Sequence, residues 1–250
     1  MENILTKIER NTSVETVAYL VCSGKGADVR TNFKQPIILD QNYKHSIALT
    51  AYTSYFSIPN VESSINGRLN IFDPHISKWT VLTFESGSYS LNDLNDCLQS
   101  FLPSRGIITI KPDFITLKAK INIAKGGYQV KFDSSTGDLS NLLGFNNKII
   151  SAGLHVGDNI VNILSVNSIS VSIDIIAGGF VDGVQKNIIH SFFPSVGVGE
   201  KIIERPVNLI YLPIIVNRIE NLRIRLLDQS CNLLNFRDEV ITCQFIIKRC

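Results

Sequence analysis

The stretch from Ile169 to Ile175 constrains the fold of this chain more than any other segment. Isoleucine or valine occupies every second position there, and Ser170, Ser172 and Asp174 lie between them. Strict alternation of apolar and polar residues is typical of a β-strand with one buried face. The same alternation recurs in residues 43–51, 222–226 and 241–247. The chain is therefore predicted to consist mainly of short β-strands around one core.

Three pairs of turn residues predict β-hairpins. Asn66-Gly67, Gly126-Gly127 and Asp182-Gly183 each tolerate the positive φ angles of a tight turn between antiparallel strands. The first pair predicts pairing of 61–65 with 68–72, the second of 116–124 with 128–132, and the third of 169–181 with 184–193. Residues 209–216 are apolar on both faces and predict a central strand, with an edge position or a bulge at Pro213.

One segment has convincing helical periodicity. Leucine and phenylalanine recur at helical spacing from Leu91 to Leu102, with Ser90 as N-cap, Asp93 at the third helical position and Pro103 as terminator. A shorter turn from Leu139 to Leu143 is predicted to end at Gly144. The residues predict an all-β fold, a sandwich or a jelly roll, behind an N-terminal arm of residues 1–15. The predicted domain, residues 16–250, is one β-sandwich or jelly roll with one inserted helix (about residues 90–102) and extra hairpins.

The charge composition argues against a dedicated nucleic-acid binder. The 250 residues include 24 Lys plus Arg and 22 Asp plus Glu, for a formal net charge of +2. Charged residues make up 18% of the chain, below the roughly 25% of average soluble domains. We therefore expect no direct nucleic-acid binding, and we expect an obligate assembly in which apolar contact area replaces polar surface.

The cysteines and the N-terminus indicate a reducing compartment. The five cysteines form no C-x-x-C pair, and an odd number fits free thiols better than a disulfide framework. Charges at Glu2, Lys7, Glu9 and Arg10 leave no apolar run for a secretory signal. We expect no membrane span, because the longest charge-free stretch is short and contains many polar residues.

No motif predicts an enzyme. The four histidines, His45, His75, His155 and His190, have no metal-ligand spacing, and His45 is expected to be a core or interface residue. Gly24-Lys25-Gly26 and Gly197-Val198-Gly199 lack the rest of a phosphate loop or a dinucleotide fingerprint. Ser195 does not lie in a G-x-S-x-G elbow. We expect no catalytic, cofactor-binding or metal-binding residues, and no cofactor.

Arginines near the C-terminus form one candidate interaction site. Arg223 and Arg225 lie on the polar face of a predicted strand, and Arg218 and Arg237 are nearby in sequence. Two interpretations stay open: an acceptor site for a partner's carboxylates, or a solvated sheet face. In either case the guanidinium groups of Arg223 and Arg225 should lie outside the core. The acidic pairs Asp93/Asp96 and Asp238/Glu239 are explained by helix capping and by a solvated strand start.

Several segments resemble one family of capsid proteins. In the N-terminal half these are 57–60 (SIPN), 87–95 (GSYSLNDLN) and 142–145 (LLGF). In the C-terminal half they are 161–163, 165–167, 190–194, 210–214, 228–229 and 235–237. Their order and spacing over about residues 43–248 resemble the penton (minor capsid) proteins of Polinton/Maverick elements and adintoviruses. The turn from Ser195 to Glu200 departs from that pattern, since the relatives tend to be Pro-rich there, and the chain has Ser104-Arg105-Gly106 but no Arg-Gly-Asp.

The resemblance implies a structural role in a virion. It implies a single jelly roll that forms homopentamers at the fivefold vertices of an icosahedral double-stranded DNA virus capsid. The neighbouring partner would be a double jelly-roll major capsid protein, with assembly in the host cytoplasm or nucleus. We further expect that the N-terminal arm takes a fixed position only against neighbouring capsid subunits. The alternative is a non-viral jelly-roll binding module, lectin-like or cytokine-like.

Overall fold

The structure, a computed structural model, describes residues 15–124, 126–163, 166–181 and 183–249. Tertiary contacts divide the chain into two compact units. Unit 1 is Met1–Ser57 with Val166–Cys250, and unit 2 is Ile58–Ser165. Unit 2 is thus an insertion in the sequence of unit 1, and each unit is described by itself.

Strands are the main regular elements of both units. In chain order the first ten are β1 (Glu15–Lys25), β2 (Asp28–Ile38), β3 (His45–Tyr55), β4 (Arg68–Asp73), β5 (Lys78–Thr83), β6 (Ile108–Asp113), β7 (Lys118–Ile123), β8 (Gln129–Phe132), β9 (Lys148–Ile150) and β10 (Gly153–Val156). The next eight are β11 (Ile169–Ile173), β12 (Gly179–Val181), β13 (Val184–Lys186), β14 (Ile188–Phe192), β15 (Lys201–Glu204), β16 (Leu212–Pro213), β17 (Arg218–Leu227) and β18 (Val240–Arg249). The helices of the described residues are α1 (Leu91–Phe101) and α2 (Ser140–Leu143), with a 3₁₀ turn at Ser134–Thr136.

Unit 1 has the strand order of a jelly roll. Its two main sheets run β1-β18-β3-β15 and β14-β11-β17-β2, and all their pairings are antiparallel. These eight strands can be numbered from one to eight in chain order. The first sheet then has the order 1-8-3-6, and the second sheet has the order 5-4-7-2. That order is two Greek keys folded face to face. The predicted all-β jelly roll is confirmed, and unit 2 is inserted between the third and fourth of its strands.

The core of unit 1 is filled by the inward faces of both sheets. On β18, Ile241, Cys243, Phe245 and Ile247 are buried at every second position, as the sequence predicts. Tyr52 of β3 and Phe192 of β14 join the two sheets, with ring centroids 5.2 Å apart. Aromatic burial of this kind contributes a large share of core stability.

Unit 2 has its own core between two smaller sheets. Their orders are β5-β4-β8-β9 and β10-β7-β6, and α1 packs on β6. The apolar face of α1, formed by Leu91, Leu94 and Leu98, is buried in this core. Phe132 and Phe145 stack in it at a centroid distance of 4.6 Å.

The helix predictions are confirmed. The Ser90 side chain accepts a hydrogen bond from the Asp93 backbone N–H, and the Asp93 carboxylate accepts one from the Ser90 N–H. This capping box satisfies two backbone donors that the first turn leaves free. The short turn also ends as predicted, with Gly144 in the left-handed region at φ +74°.

Two of the three predicted hairpins are wrong. Residues after Val61 form turns, and β4 pairs with β5 and β8, so Asn66-Gly67 joins no two paired strands. On either side of Gly126-Gly127, β7 pairs with β6 and β10, whereas β8 pairs with β4 and β9. Gly126-Gly127 leads the chain from one sheet into another, and Gly67 does not have the positive φ of the predicted turn. The third hairpin exists as β12–β13, although Asp182 lies outside the described residues.

Two strand predictions also need correction. The alternation in β11 predicts one buried face, yet all five residues are buried, Ser170 and Ser172 included. The Ser170 hydroxyl shares a hydrogen bond of 2.8 Å with the Ser191 hydroxyl on the neighbouring strand β14. The predicted central strand 209–216 is reduced to β16, which pairs with β3. Pro213 ends it, in keeping with the edge position that a missing N–H requires. Flanking Leu209, Ile210 and Ile215 are exposed.

The predicted division into an arm (1–15) and one domain (16–250) stays a prediction. Residues 1–14 lie outside the described part of the chain, and Glu15 is the first residue of β1.

Candidate assembly surface

The two sheets of unit 1 present outer faces of opposite character. On the β1-β18-β3-β15 sheet, the outward residues of neighbouring strands are directly opposite one another: Tyr19 faces Ile246, Val21 faces Gln244, and Ser23 faces Thr242. We call the following set the uncharged face: Val17, Tyr19, Val21, Ser23, Thr53, Ile203, Thr242, Gln244 and Ile246.

Apolar side chains on the uncharged face are open to solvent. Val17, Tyr19, Val21 and Ile203 are 40%, 55%, 54% and 57% exposed. Tyr19 donates a hydrogen bond to the Gln244 side-chain oxygen at 2.5 Å. This exposed sheet face has aromatic and aliphatic residues and no charges at its centre. The central part of a protein–protein interface has the same composition.

The opposite sheet carries the predicted arginines. On β17, Arg225 is exposed and Arg223 is 41% exposed at its side chain, so both guanidinium groups lie outside the core, as predicted. Arg223 donates two hydrogen bonds to Asp28 on β2 and its backbone N–H donates to Asp174. Arg30, also on β2, is directly opposite Arg223. This face is therefore a mixed-charge surface.

The four arginines of the candidate site do not converge. Arg218 lies at the start of β17 and pairs with Glu220 at 2.9 Å, whereas Arg223 and Arg225 lie near the other end. Arg237 lies in the turn before β18, in the left-handed region at φ +52°. Arg225 lies near Arg223 and Arg30 at the end of the strand pair β17–β2.

The segments that carry the family resemblance have structural roles. In unit 2 the Asn60 side chain donates to the carbonyl oxygens of Tyr89 and Ile163, at 2.8 and 3.0 Å, and accepts from the Tyr89 N–H at 2.9 Å. Nearby, the Asn162 N–H donates to the Leu142 carbonyl at 2.9 Å. These segments are therefore joined by hydrogen bonds that hold the loops of unit 2.

Two hairpins of unit 2 have the same construction, which the sequence reasoning missed. Asp73 and Lys78 bound one four-residue loop, and Asp113 and Lys118 bound the other. In each hairpin the aspartate side chain accepts a hydrogen bond from the backbone N–H of the residue two positions later. The fourth loop residue, Ser77 in one hairpin and Leu117 in the other, has a positive φ. The signal that could have found them is the shared D-x-x-x-x-K spacing between alternating segments.

The second of these hairpins ends in an apolar tip. Phe114 and Ile115 are 82% and 93% exposed, and Leu117 is 59% exposed. The ion pair of Asp113 with Lys120, at 2.9 Å, fixes the base of the loop and holds the pKa of that carboxyl below its usual range. An apolar groove of about 260 Å³ lies beside the tip, between Leu91, Pro112, Leu117 and Val161.

The four histidines lie in different elements of the described chain. His45 is buried in β3, as predicted, and His190 of β14 contacts Glu204 at 2.9 Å. His75 lies in the loop before β5, and His155 lies in β10. No group of three or more His, Cys, Asp or Glu residues within the described ranges could hold a metal ion.

Three of the four described cysteines have thiols with a raised pKa. Cys22, Cys97, Cys231 and Cys243 are free thiols, as predicted, and Cys250 lies outside the described residues. Burial raises the pKa of Cys22, Cys97 and Cys243 above the ordinary thiol value. A raised pKa leaves little thiolate at neutral pH, so these three are poor nucleophiles.

No helix of the described chain is long and apolar enough to cross a membrane.

Comparisons with known proteins found similar solved structures but no matching family model or curated protein. The crystal structure of the mavirus penton protein matches with a TM-score of 0.47 and 9% identity, and the match covers 94% of this chain and all of that one. At those values the likeness carries no argument about function.

Proposed function

We propose that this chain is a penton, a minor capsid protein that forms homopentamers at the fivefold vertices of an icosahedral double-stranded DNA virus capsid. The observation that carries the proposal is the jelly roll of unit 1 with an uncharged outer face on its β1-β18-β3-β15 sheet. The resemblance of nine ordered segments to Polinton and adintovirus pentons agrees with it. Its activity is assembly, without turnover.

Ring formation requires a particular kind of contact. In a ring of five, each subunit uses one patch against a different patch of the next subunit. A sheet face without central charges can be buried against a neighbour without an ionic desolvation cost. The uncharged face is our candidate for one of the two patches.

The mixed-charge face suits a different neighbour. Arg223 is held by Asp28, and Arg225 projects from the same strand. Arginine at a protein surface binds carboxylates through paired hydrogen bonds. We assign this face to contacts with a double jelly-roll major capsid protein, at the capsid vertex of a virion assembled in the host cytoplasm or nucleus.

The test is the absolute mass of the purified protein by light scattering coupled to gel filtration. A mass five times the chain mass of 27.8 kDa, with fivefold class averages in negative-stain microscopy, supports the proposal. Val21→Lys places a charge on the uncharged face and should reduce the pentamer fraction. The control Gln35→Lys alters an exposed position on β2 and should not.

A mass other than that of a pentamer would change the proposed function. A monomer or a trimer in both purified protein and reconstituted particles overturns the proposal and favours the alternative, a non-viral jelly-roll binding module of the lectin-like or cytokine-like kind. Tight binding of a catalytic metal by the purified protein would instead indicate an enzyme.

A further inference from the structure

The four sheet edges of the jelly roll differ in how they are protected. The edge strands β14 and β15 have five and four residues. The edge strand β2 has 11 residues but carries Arg30, Lys34 and Pro36. Short length, charge and proline are the usual devices that prevent an edge from pairing with another chain. Three of the four edges therefore carry such a device.

Strand β1 lacks these devices over most of its length. It has 11 residues, its charged residues are only the first and last, Glu15 and Lys25, and it contains no proline. Its one irregularity is a bulge near its start, between Thr16 and Ala18. Within the described residues β18 is the only strand paired with it. An open edge of this length is a template for the addition of a further strand.

The chain itself offers a segment that could fill this edge. Fourteen residues precede Glu15, enough to span up to roughly 50 Å when extended. Ile4, Thr6 and Ile8 alternate there with Leu5 and Lys7. β-branched residues at every second position suit a strand beside the apolar row of β1.

The sequence before Glu15 lacks the residues of a two-residue hairpin turn into β1. A tight hairpin into β1 would place its turn at residues 11–14, Asn-Thr-Ser-Val, and such turns need glycine or two residues with positive φ. Thr12 and Val14 are β-branched, and the first glycine of the chain is Gly24. Pairing with another copy needs no such turn.

We infer that residues 1–14 of one copy add as a strand to the β1 edge of a second copy. Each subunit then donates one segment and accepts another, which is the head-to-tail contact that closes a ring. This inference rests on the proposed pentamer for its symmetry, and it identifies how neighbouring subunits are joined.

Photo-crosslinking of the full-length protein tests the inference. Benzoylphenylalanine is placed at position 21 on β1, in assemblies mixed from ¹⁴N- and ¹⁵N-labelled chains, and crosslinked peptides are identified by mass spectrometry. The expected result is a link from position 21 to a peptide within residues 1–14 of the other isotope. The matched control has the same probe at position 35 of β2 and should give at least tenfold fewer such links.

The mass of the unmodified protein, measured beside this sample, separates the two proposals, because position 21 itself lies on the uncharged face. Links only within one chain, or no links to residues 1–14 in an assembled pentamer, overturn the inference and leave the pentamer standing. Links between chains in an oligomer of another size support the strand addition and overturn the pentamer. A monomer without links between chains overturns both.

Discussion

Asp28 accepts hydrogen bonds at both carboxylate oxygens from the guanidinium of Arg223, across the neighbouring strands β2 and β17. The hydrogen bonds from Arg223 hold the pKa of Asp28 below its usual range. The pair fixes the orientation of Arg223 on the mixed-charge face, so its geometry is set before any partner binds. The partly exposed position limits how much the pair stabilises the fold.

Replacing Asp28 by asparagine should lower the free energy of unfolding by no more than about 1 kcal/mol at neutral pH. Because the folded-state pKa is lowered, the contribution of Asp28 is complete above the unfolded value near pH 4 and is lost as the pH falls through the folded value. Urea unfolding at a series of pH values should therefore show the wild-type advantage disappearing in acid. Glu220→Gln, which breaks the more exposed pair with Arg218, is the control and should change little. An advantage that persists undiminished at pH 2 would contradict the assignment.

Asn60→Ala should be among the most damaging polar substitutions in unit 2. It removes three hydrogen bonds, two to the carbonyls of Tyr89 and Ile163 and one from the Tyr89 N–H. At about 1 kcal/mol for each bond, the loss of stability is roughly 3 kcal/mol. Denaturant unfolding measures it, with the exposed Asn92→Ala as a control that should stay within about 0.5 kcal/mol. Equal effects of the two substitutions would show that the Asn60 bonds contribute nothing.

Two glycines with positive φ should respond differently to alanine. At Gly144, φ is +74° and a Cβ would lie 2.3 Å from the Asn159 carbonyl oxygen, a backbone atom that cannot move aside cheaply. At Gly106, φ is +85° and nothing lies within 4 Å. Gly106→Ala should cost about 1 kcal/mol from backbone strain alone, and Gly144→Ala at least about 3 kcal/mol, because the clash adds to the strain. Thermal unfolding of both variants measures the two losses of stability. A loss for Gly144→Ala no larger than the loss for Gly106→Ala would refute the packing argument.

Asp238→Gly should stabilise the protein. Arg237 and Asp238 are consecutive residues at φ +52° and +59°, and the Glu239 N–H donates to the Phe236 carbonyl at 3.0 Å, which is a type I′ turn. Glycine adopts this conformation without the Cβ penalty, so the expected gain is roughly 0.5–1 kcal/mol. Asp238→Ala keeps the strain and is the control, with no gain expected. The measurement compares the melting temperatures of the two variants, and the glycine variant should melt at the higher temperature.

Short-range patterns predicted strand β18 and helix α1 correctly. The apolar period of β18 and the capping residues of α1 each lie within about a dozen residues, and both elements form where the sequence places them. Both can be recognised within a short stretch of sequence, because backbone geometry sets a side-chain period of 2.0 residues in a strand and 3.6 residues in a helix. The exposure of Arg223 and Arg225 follows from the same rule, since both lie on the polar side of a period-2 strand.

The candidate surface could be predicted only in part. Tyr19, Val21 and Ile246 become one face because β1 and β18 pair over a separation of more than 200 residues. The sequence contains each strand's alternation, but nothing local specifies which strand is its neighbour. The apolar tip at Phe114 and Ile115 was likewise missed, because a hydrophobic run gives no sign of whether it is buried or projects from a turn.

The sequence by itself determined that this protein is built from antiparallel strands with one capped helix and few charges. Only the tertiary structure decided which strands pair, that Gly126-Gly127 separates two sheets, and that β11 is buried on both faces. The physical reason is that the period of a strand depends on its own backbone, whereas its partner is chosen by how much apolar surface the assembled sheets bury together.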